Sequence, residues 1–238
     1  MKLFNNGKQY KKILVIPDLH IPFIDMRVLK VVQMWYKRHK PDLVVQLGDM
    51  FDFKAWSRWP KDSDDDSPHE EFEASIKLGS IVAKMFPEME ILMGNHDMRV
   101  AKRAMEVGFT KHIMRDLAEV FPYKGWNWHA DPREKLVINT PKGPIWFLHG
   151  DEQGGTAAQK SRLLGISVVQ GHTHQAGITH SSSLAHGIFA METGHCMDMR
   201  SKGAQYAFRM GRYPVAGLGV IKFGIPYFIP LSGEEKVI

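Results

Sequence analysis

Five stretches of the chain share one design: a short apolar run that stops at glycine, aspartate, histidine or asparagine. They are Val15-Ile16-Pro17-Asp18-Leu19-His20, Val44-Val45-Gln46-Leu47-Gly48-Asp49, Ile91-Leu92-Met93-Gly94-Asn95-His96-Asp97, Ile145-Trp146-Phe147-Leu148-His149-Gly150 and Val168-Val169-Gln170-Gly171-His172-Thr173-His174. Apolar runs of this length, closed by turn residues, are the pattern of buried strands. One polar strand tip is ordinary, because Asn and Asp favour turns for backbone reasons. Five in one chain predict that the strand ends converge on a metal centre.

The intervening segments fill in the elements. Lys11 to Pro17 reads as a strand, Ile24 to His39 as an amphipathic helix with Val28, Val31, Val32, Trp35 and Tyr36 at core spacing, and Leu43 to Leu47 as a second strand. The chain therefore opens β-α-β, which implies parallel strands. Lys37, Arg38, His39 and Lys40 enrich the last turn of the first helix in positive charge, Pro41 stops it, and His39 is a solvated helix-end residue. Ser67 as N-cap, Pro68 in the first helical position and Glu70 closing a capping box start a second helix that runs to about Phe86, with Phe72, Ile76, Leu78, Ile81 and Val82 on its buried side. Met98 to Met105 and Lys111 to Phe121 read as two shorter helices broken at Gly108. From Pro122 onward, Trp126 to His129, Lys135 to Asn139 and Ile145 to His149 read as antiparallel hairpins, with His129 structural. A helix from about Thr156, a strand over Ser167 to Gln170, and further strand-like runs at Ile178–His180, Gly187–Met191 and Val215–Ile229 complete the chain.

Composition narrows the class. Residues 1–238 read as one domain of two packed sheets, with no repeat and no linker. Hydrophobic content of 44% and charged content of 24% are those of a soluble globular protein. Cys196 is the lone cysteine, which excludes an intrachain disulfide and suits a reducing cytoplasm. No apolar run reaches the roughly 18 residues that span a bilayer, and the start of the chain has no signal-peptide core, so the expectation is a cytoplasmic protein without membrane contact. The net charge of +5, from 31 basic and 26 acidic residues, suits an anionic substrate. Oligomeric state has no signature in the sequence.

The candidate metal ligands are Asp18, His20, Asp49, Asn95, His149, His172 and His174. Carboxylate, imidazole and amide without thiolate exclude a cysteine-rich zinc site and suit first-row divalent ions, Mn²⁺ first, with Fe, Zn or Ni as alternatives. Seven donors exceed the needs of one tetrahedral ion. Shared between two ions, with one carboxylate bridging, they fit a phosphoryl-displacement site in which a metal-activated hydroxide attacks. Arg99, Lys102, Arg103, Lys111 and Arg115 make the most basic region, which reads either as a solvated helix face or as a phosphate-attracting rim. The loop Phe53 to Asp66 carries Trp56 and Trp59 beside Lys54 and Arg58, then clustered acids; its tryptophans either wall the substrate or pack the loop down.

The ordered blocks D-x-H, G-D-x-x-D, G-N-H-D, H-G and G-H-T-H, from Asp18 to His174, resemble the calcineurin-like metallophosphoesterases. The tail around Glu192–Asp198 and Tyr213–Leu218 is similar to small phage- and prophage-type members, which would place the protein in a host cytoplasm. The resemblance implies an α/β (α+β) fold, a four-layer α-β-β-α sandwich of two mixed β-sheets flanked by helices, with a dinuclear metal site at the strand ends. It implies a first metal on Asp18, His20, Asp49 and His174, and a second on Asp49, Asn95, His149 and His172, with Asp49 bridging. His96 would protonate the leaving oxygen or clamp the transition state, and Asp52 would pair with it. The phosphoprotein phosphatases have arginine after that second aspartate where this chain has Phe53. Arg99 is then either the substitute phosphate clamp or a surface helix arginine. His186 and His195 are extra histidines that line the pocket or pack.

The resulting expectation is a two-metal phosphoesterase acting on phosphodiesters or monoesters, with a nucleotide or nucleic-acid end among its substrates. The alternatives are a nuclease acting on DNA ends or single strands, and a non-catalytic nucleotide-binding member.

Overall fold

The computed structural model describes residues 3–59, 61, 63–131, 135–151, 154–183, 186–204 and 213–231. In chain order the elements are β1 (Lys12–Ile16), α1 (Met26–His39), β2 (Leu43–Gln46), α2 (Pro68–Met85), β3 (Met89–Leu92), α3 (Arg99–Glu106), α4 (Leu117–Val120), β4 (Trp126–His129), β5 (Leu136–Thr140), β6 (Gly143–Leu148), α5 (Ala157–Leu164), β7 (Ser167–Gln170), β8 (Ala176–Ser182), β9 (Gly187–Thr193), β10 (Gly217–Lys222) and β11 (Ile225–Pro230).

They form two mixed sheets. The first has the order β11-β10-β1-β2-β3-β4, and the second β5-β6-β7-β9-β8. The run Ile13-Leu14-Val15-Ile16 shows why the sheets stack. Alternate side chains point to opposite faces of a strand. Leu14 and Ile16 join Val28, Leu29 and Val32 of α1 and Val82 and Met85 of α2 in one core. Ile13 and Val15 face the other way, onto Ile138, Phe147, Val169 and Met191 of the second sheet. A third core, Val137, Trp146, Val168 and Ala190, lies under Ala157 of α5. The layers are therefore helix, sheet, sheet, helix.

The helix signals act locally as the residues dictate. Asp25 caps α1 by accepting from Arg27 N, and Ser67 and Glu70 form the reciprocal capping box of α2 behind Pro68. The buried face of α2 differs from the apolar count. Val82 is buried and Phe72, Leu78 and Ile81 pack against the core as expected, but Ile76 stays exposed, and Glu71, Ser75, Gly79 and Met85 complete the buried face. Small residues win this face because Phe51 and Tyr123 press against Gly79, and Glu71 turns inward to accept from Lys54 N and Ala55 N at 2.7 and 2.6 Å.

Two further expectations are corrected. Lys111 to Phe121 is not one helix but a 3-10 turn at Lys111–Ile113 and the single turn α4. The apolar positions Ile113, Leu117 and Phe121 are at helical spacing, but Ile113 is left exposed, and the buried Phe121, stacked on Phe51 at 3.9 Å between ring centres, fixes the end of the segment instead. Trp126–His129 opens no antiparallel hairpin. It lies parallel to β3, Met89 opposite Trp126, because Glu90 accepts from Asn127 Nδ2 and His129 Nε2 at 3.0 and 2.7 Å across the pair. His129 is thereby structural. Likewise β6 joins its hairpin partner β5 antiparallel but β7 in parallel.

Candidate metal centre

The parallel strands β1, β2, β3, β6 and β7 end on the same side, and each hands one or more polar side chains to the loop that follows. Asp18 and His20 follow β1, Asp49 and Asp52 follow β2, and Asn95 and His96 follow β3. His149 follows β6, while His172 and His174 follow β7. His20, Asp49, His172 and His174 all have φ between 50° and 67°, a region that L residues other than glycine seldom adopt. Four strained backbones among seven candidate ligands mark a site that the surrounding structure over-determines.

Two clusters result. In the first, His174 Nε2 lies 3.0 Å from His20 Nε2 and 3.2 Å from Asp18 Oδ2. In the second, His149 Nε2 lies 3.4 Å from Asp49 Oδ2 and 3.1 Å from Asn95 Oδ1, and the His172 ring stands 5.0 Å from that of His149. Asp18, His20 and His174 could hold one ion, and Asp49, His149 and His172 another. Asp49 Oδ2 faces both clusters, 3.8 Å from His20 Nε2 as well as 3.4 Å from His149 Nε2.

The backbone builds this closeness. Asp49 takes the N–H of His96 on Oδ1 at 2.8 Å, and its carbonyl accepts from Leu19 and His20. A Cβ on Gly94 would lie 2.1 Å from Asp49 Oδ1, and one on Gly171 2.5 Å from Asp18 Oδ1, so only glycine lets these loops approach. Asp97 gathers the N–H groups of Phe51 and Gly94, each at 2.9 Å, and that of Met50 at 3.3 Å, tying the β2 loop to the β3 loop. Burial, helped by the Asp49 charge, pushes its carboxyl up to about 7.

The donor set suits divalent cations. His149 donates Nδ1–H to the Leu47 carbonyl at 2.9 Å, and His20 donates Nδ1–H to Asp52 Oδ2 at 2.8 Å. Both rings therefore turn the Nε2 lone pair inward, the orientation a metal ligand needs. The Nε2 atoms of His20 and His174, 3.0 Å apart beside the Asp18 carboxylate, repel unless a proton or a cation sits among them. Burial would raise the carboxyls of Asp18 and Asp49, yet the surrounding imidazoles hold both below the usual range. Burial would lower His149, yet the Asp49 carboxylate pushes it up to about 10. The cluster thus attracts positive charge strongly.

Beside it lies a second arrangement centred on Asp52. Its Oδ2 also accepts from His96 Nδ1 at 3.2 Å, and Arg99 Nη1 donates to its Oδ1 and to its carbonyl, each at 2.9 Å. Arg99 Nη2 donates to His96 Nε2 at 2.9 Å. Nε2 therefore either accepts from Arg99 or carries its own proton. Burial would raise Asp52, but His96 and His20 hold it well below the carboxylate range; burial would lower His96, but Asp49 and Asp52 raise it. Arg99 is mostly buried in this array, unlike a surface helix arginine.

Other candidates fall elsewhere. His186 is exposed at a turn, remote from the clusters in its hydrogen bonding, which is to Ser183. His195 packs beneath the first cluster, 5.2 Å from the His174 ring, and accepts from Met197 N on Nδ1. Trp56 packs edge-on against Phe53, while Trp59 is 72% exposed. The Phe53–Asp66 loop is pinned where it is described: Lys54 pairs with Asp65, Arg58 with Glu106, and Arg103 donates to the Trp56 and Ser57 carbonyls. The sequence marks Asp97 as a polar strand-end residue but gives it no role, and it passes over Lys160. A carboxylate three residues after a crowded glycine was a usable signal for the first. The second had none, since its partners lie in other segments.

A profile of the calcineurin-like phosphoesterases matches residues 11–186. The chain belongs to this family. Among curated relatives of this calcineurin-like phosphoesterase, the Gene 54 proteins of Mycobacterium phages D29 and L5 are 32% and 30% identical, each over 82% of both chains. Similar solved structures include Yfce, a phosphoesterase from E. coli, at 14% identity and TM-score 0.43, covering 88% of this chain and 87% of that one. Vps29 of Entamoeba histolytica is another, at 15% identity and TM-score 0.42, covering 93% and 99%. Members of the family typically bind divalent metals, and the two His/Asp groups described above could hold them. Among the described residues no helix is long and apolar enough to cross a membrane.

Proposed function

We propose that this calcineurin-like phosphoesterase hydrolyses phosphodiesters or phosphomonoesters with two divalent cations, Mn²⁺ foremost. The observation that carries the reading is the pair of donor clusters that share Asp49 Oδ2. Asp18, His20, Asp49 and His174 would hold one cation; Asp49, Asn95, His149 and His172 the other. Bound there, the cations supply Lewis acidity and a water of lowered pKa, and clamp the oxygens on either side of phosphorus.

The chain's own groups do the rest. Asp52 orients both His20 and His96 through their Nδ1–H groups, so that Nε2 of each points into the cleft. His96 Nε2, 3.9 Å from Asp49 Oδ2, is placed to give a proton to the leaving oxygen. Arg99 is the phosphate clamp. An arriving anion draws its guanidinium from Nε2 onto phosphate oxygens, where its planar fork matches two of them, and Nε2 is uncovered for proton transfer. The phage relatives fit a place of action in the cytoplasm of an infected bacterium.

The test is hydrolysis of p-nitrophenyl phosphate and bis(p-nitrophenyl) phosphate with added Mn²⁺, beside metal analysis. Turnover abolished by EDTA and restored by Mn²⁺, with two ions per chain, is expected. Two bound ions without turnover of either ester or of a nucleotide panel would leave a non-catalytic binding protein instead.

A further inference from the structure

Beside the second cluster, His149 and Gly94 help line a cavity of about 180 Å³. Met93 and Met98, from the end of β3 and the turn after it, line it together with Trp146 and Leu148 of β6 and the exposed Lys102 and Lys135. His149 and Gly94, which open onto this cavity, also touch Asp49, so a phosphate held between the clusters would direct one of its substituents here.

The lining selects the substituent. Thioethers are polarizable and adapt to flat apolar groups. His129 and Asp131 add polar atoms to the lining. Lys135 Nζ sits over the Trp146 ring, 4.9 Å from its centre, and neither Lys102 nor Lys135 makes an ion pair with another described residue. Apolar and thioether lining, a few polar atoms and nearby cations together match a heteroaromatic base attached to a phosphorylated sugar. The volume falls below the roughly 300–1,000 Å³ of sites for drug-sized ligands, so it takes one ring system and not a stretch of strand. Resting on the phosphoesterase reading, we infer that this cavity seats the nucleobase of a small nucleoside phosphate ester whose phosphate lies at the shared Asp49.

Calorimetry of the full chain in Zn²⁺ tests this, with adenosine 5′-monophosphate, ribose 5-phosphate and inorganic phosphate as probes. The nucleotide is expected to bind at least ten-fold tighter than either of the others. Met98→Glu, and separately the exposed Lys135→Glu, are expected to reduce that advantage several-fold or more. Equal affinity for the three probes overturns the inference, as does ribose 5-phosphate matching the nucleotide, or both variants keeping the full advantage. Absence of phosphate binding together with absence of p-nitrophenyl phosphate turnover removes the phosphoesterase reading itself, which separates that failure from a failure of the cavity.

Discussion

His20 Nδ1 donates to Asp52 Oδ2 at 2.8 Å, and this one contact decides which nitrogen of His20 faces Asp18 and His174. The same oxygen orients His96. Removing the charge should therefore have two effects that a change at His96 has only in part. Asp52→Asn is expected to weaken binding of one cation by roughly ten- to a hundred-fold, the usual scale for a lost outer partner of a metal-bound histidine, and to slow turnover as well. His96→Ala is expected to slow turnover by roughly a hundred-fold or more with both cations retained. Calorimetric titration with Mn²⁺, beside steady-state rates, separates the two. An Asp52→Asn protein with unaltered metal affinity would contradict the role assigned to this contact.

Among the described residues Lys160 has no charged partner at hydrogen-bond distance, yet it is almost wholly buried, and burial lowers its pKa. Its Nζ donates to the Gly150 and Gly155 carbonyls at 3.2 Å each and to Gln170 Oε1 at 2.7 Å. Gly150 follows His149, and Gln170 precedes His172 by two residues, so one amine ties together both loops of the second cluster. Lys160→Met keeps the length of the side chain and leaves two buried acceptors, on Gly150 and Gln170, and the part-buried Gly155 carbonyl without it. The expected loss is about 1–3 kcal/mol of stability, and a metal content that falls from two ions per chain toward one. Urea unfolding with metal analysis reads both; two tightly held ions at full stability would rule the tie out.

The reach of the sequence follows from this contrast. Strand ends carrying Asp18, Asp49, Asn95 and His149 were legible because each lies at a sharp switch from apolar to polar residues, and the capping box at Ser67 was legible because both partners sit within one turn. The inward face of α2 was legible only in part, at Phe72, Leu78, Ile81 and Val82. Ile76 looks like core by its chemistry and Glu71 like surface, and only Phe51, Tyr123 and the Lys54 backbone, brought near by folding, reverse them. The same holds for β4, whose parallel pairing rests on Glu90 one strand away. Arg99 carried two open readings in the sequence, and its burial against Asp52 removes that of a surface helix arginine.

Glu71 brings a pH dependence. Burial pushes its carboxyl up to about 7 from the ordinary 4.5, against the two backbone N–H groups it accepts. A carboxyl whose pKa is higher in the folded chain binds its proton more tightly there. Its contribution to stability is fully present below pH 4.5 and is lost as the pH rises through 7. The span is on the order of 3 kcal/mol. Glu71→Gln cannot titrate, so its unfolding free energy in chelator should fall less than that of the unaltered chain between pH 4.5 and 7.5. Parallel curves for the two proteins would show that Glu71 titrates normally.

Gly94 offers the most local test of the shared carboxylate. A Cβ there would stand 2.1 Å from Asp49 Oδ1 and 2.3 Å from Asp49 N, and backbone cannot move aside as a flexible side chain can. Gly94→Ala should therefore displace Asp49, the one residue common to both donor sets, and weaken both cations together instead of one. Overpacking of this kind typically costs about 1–3 kcal/mol. Gly177→Ala on β8, where nothing lies within 4 Å of the added carbon, is the matched control and should stay within about 0.5 kcal/mol of the unaltered chain. Metal titrations of the two variants decide the matter. If Gly94→Ala weakened a single cation and left the other untouched, Asp49 would belong to one cluster alone, and the bridged pair would give way to two independent sites.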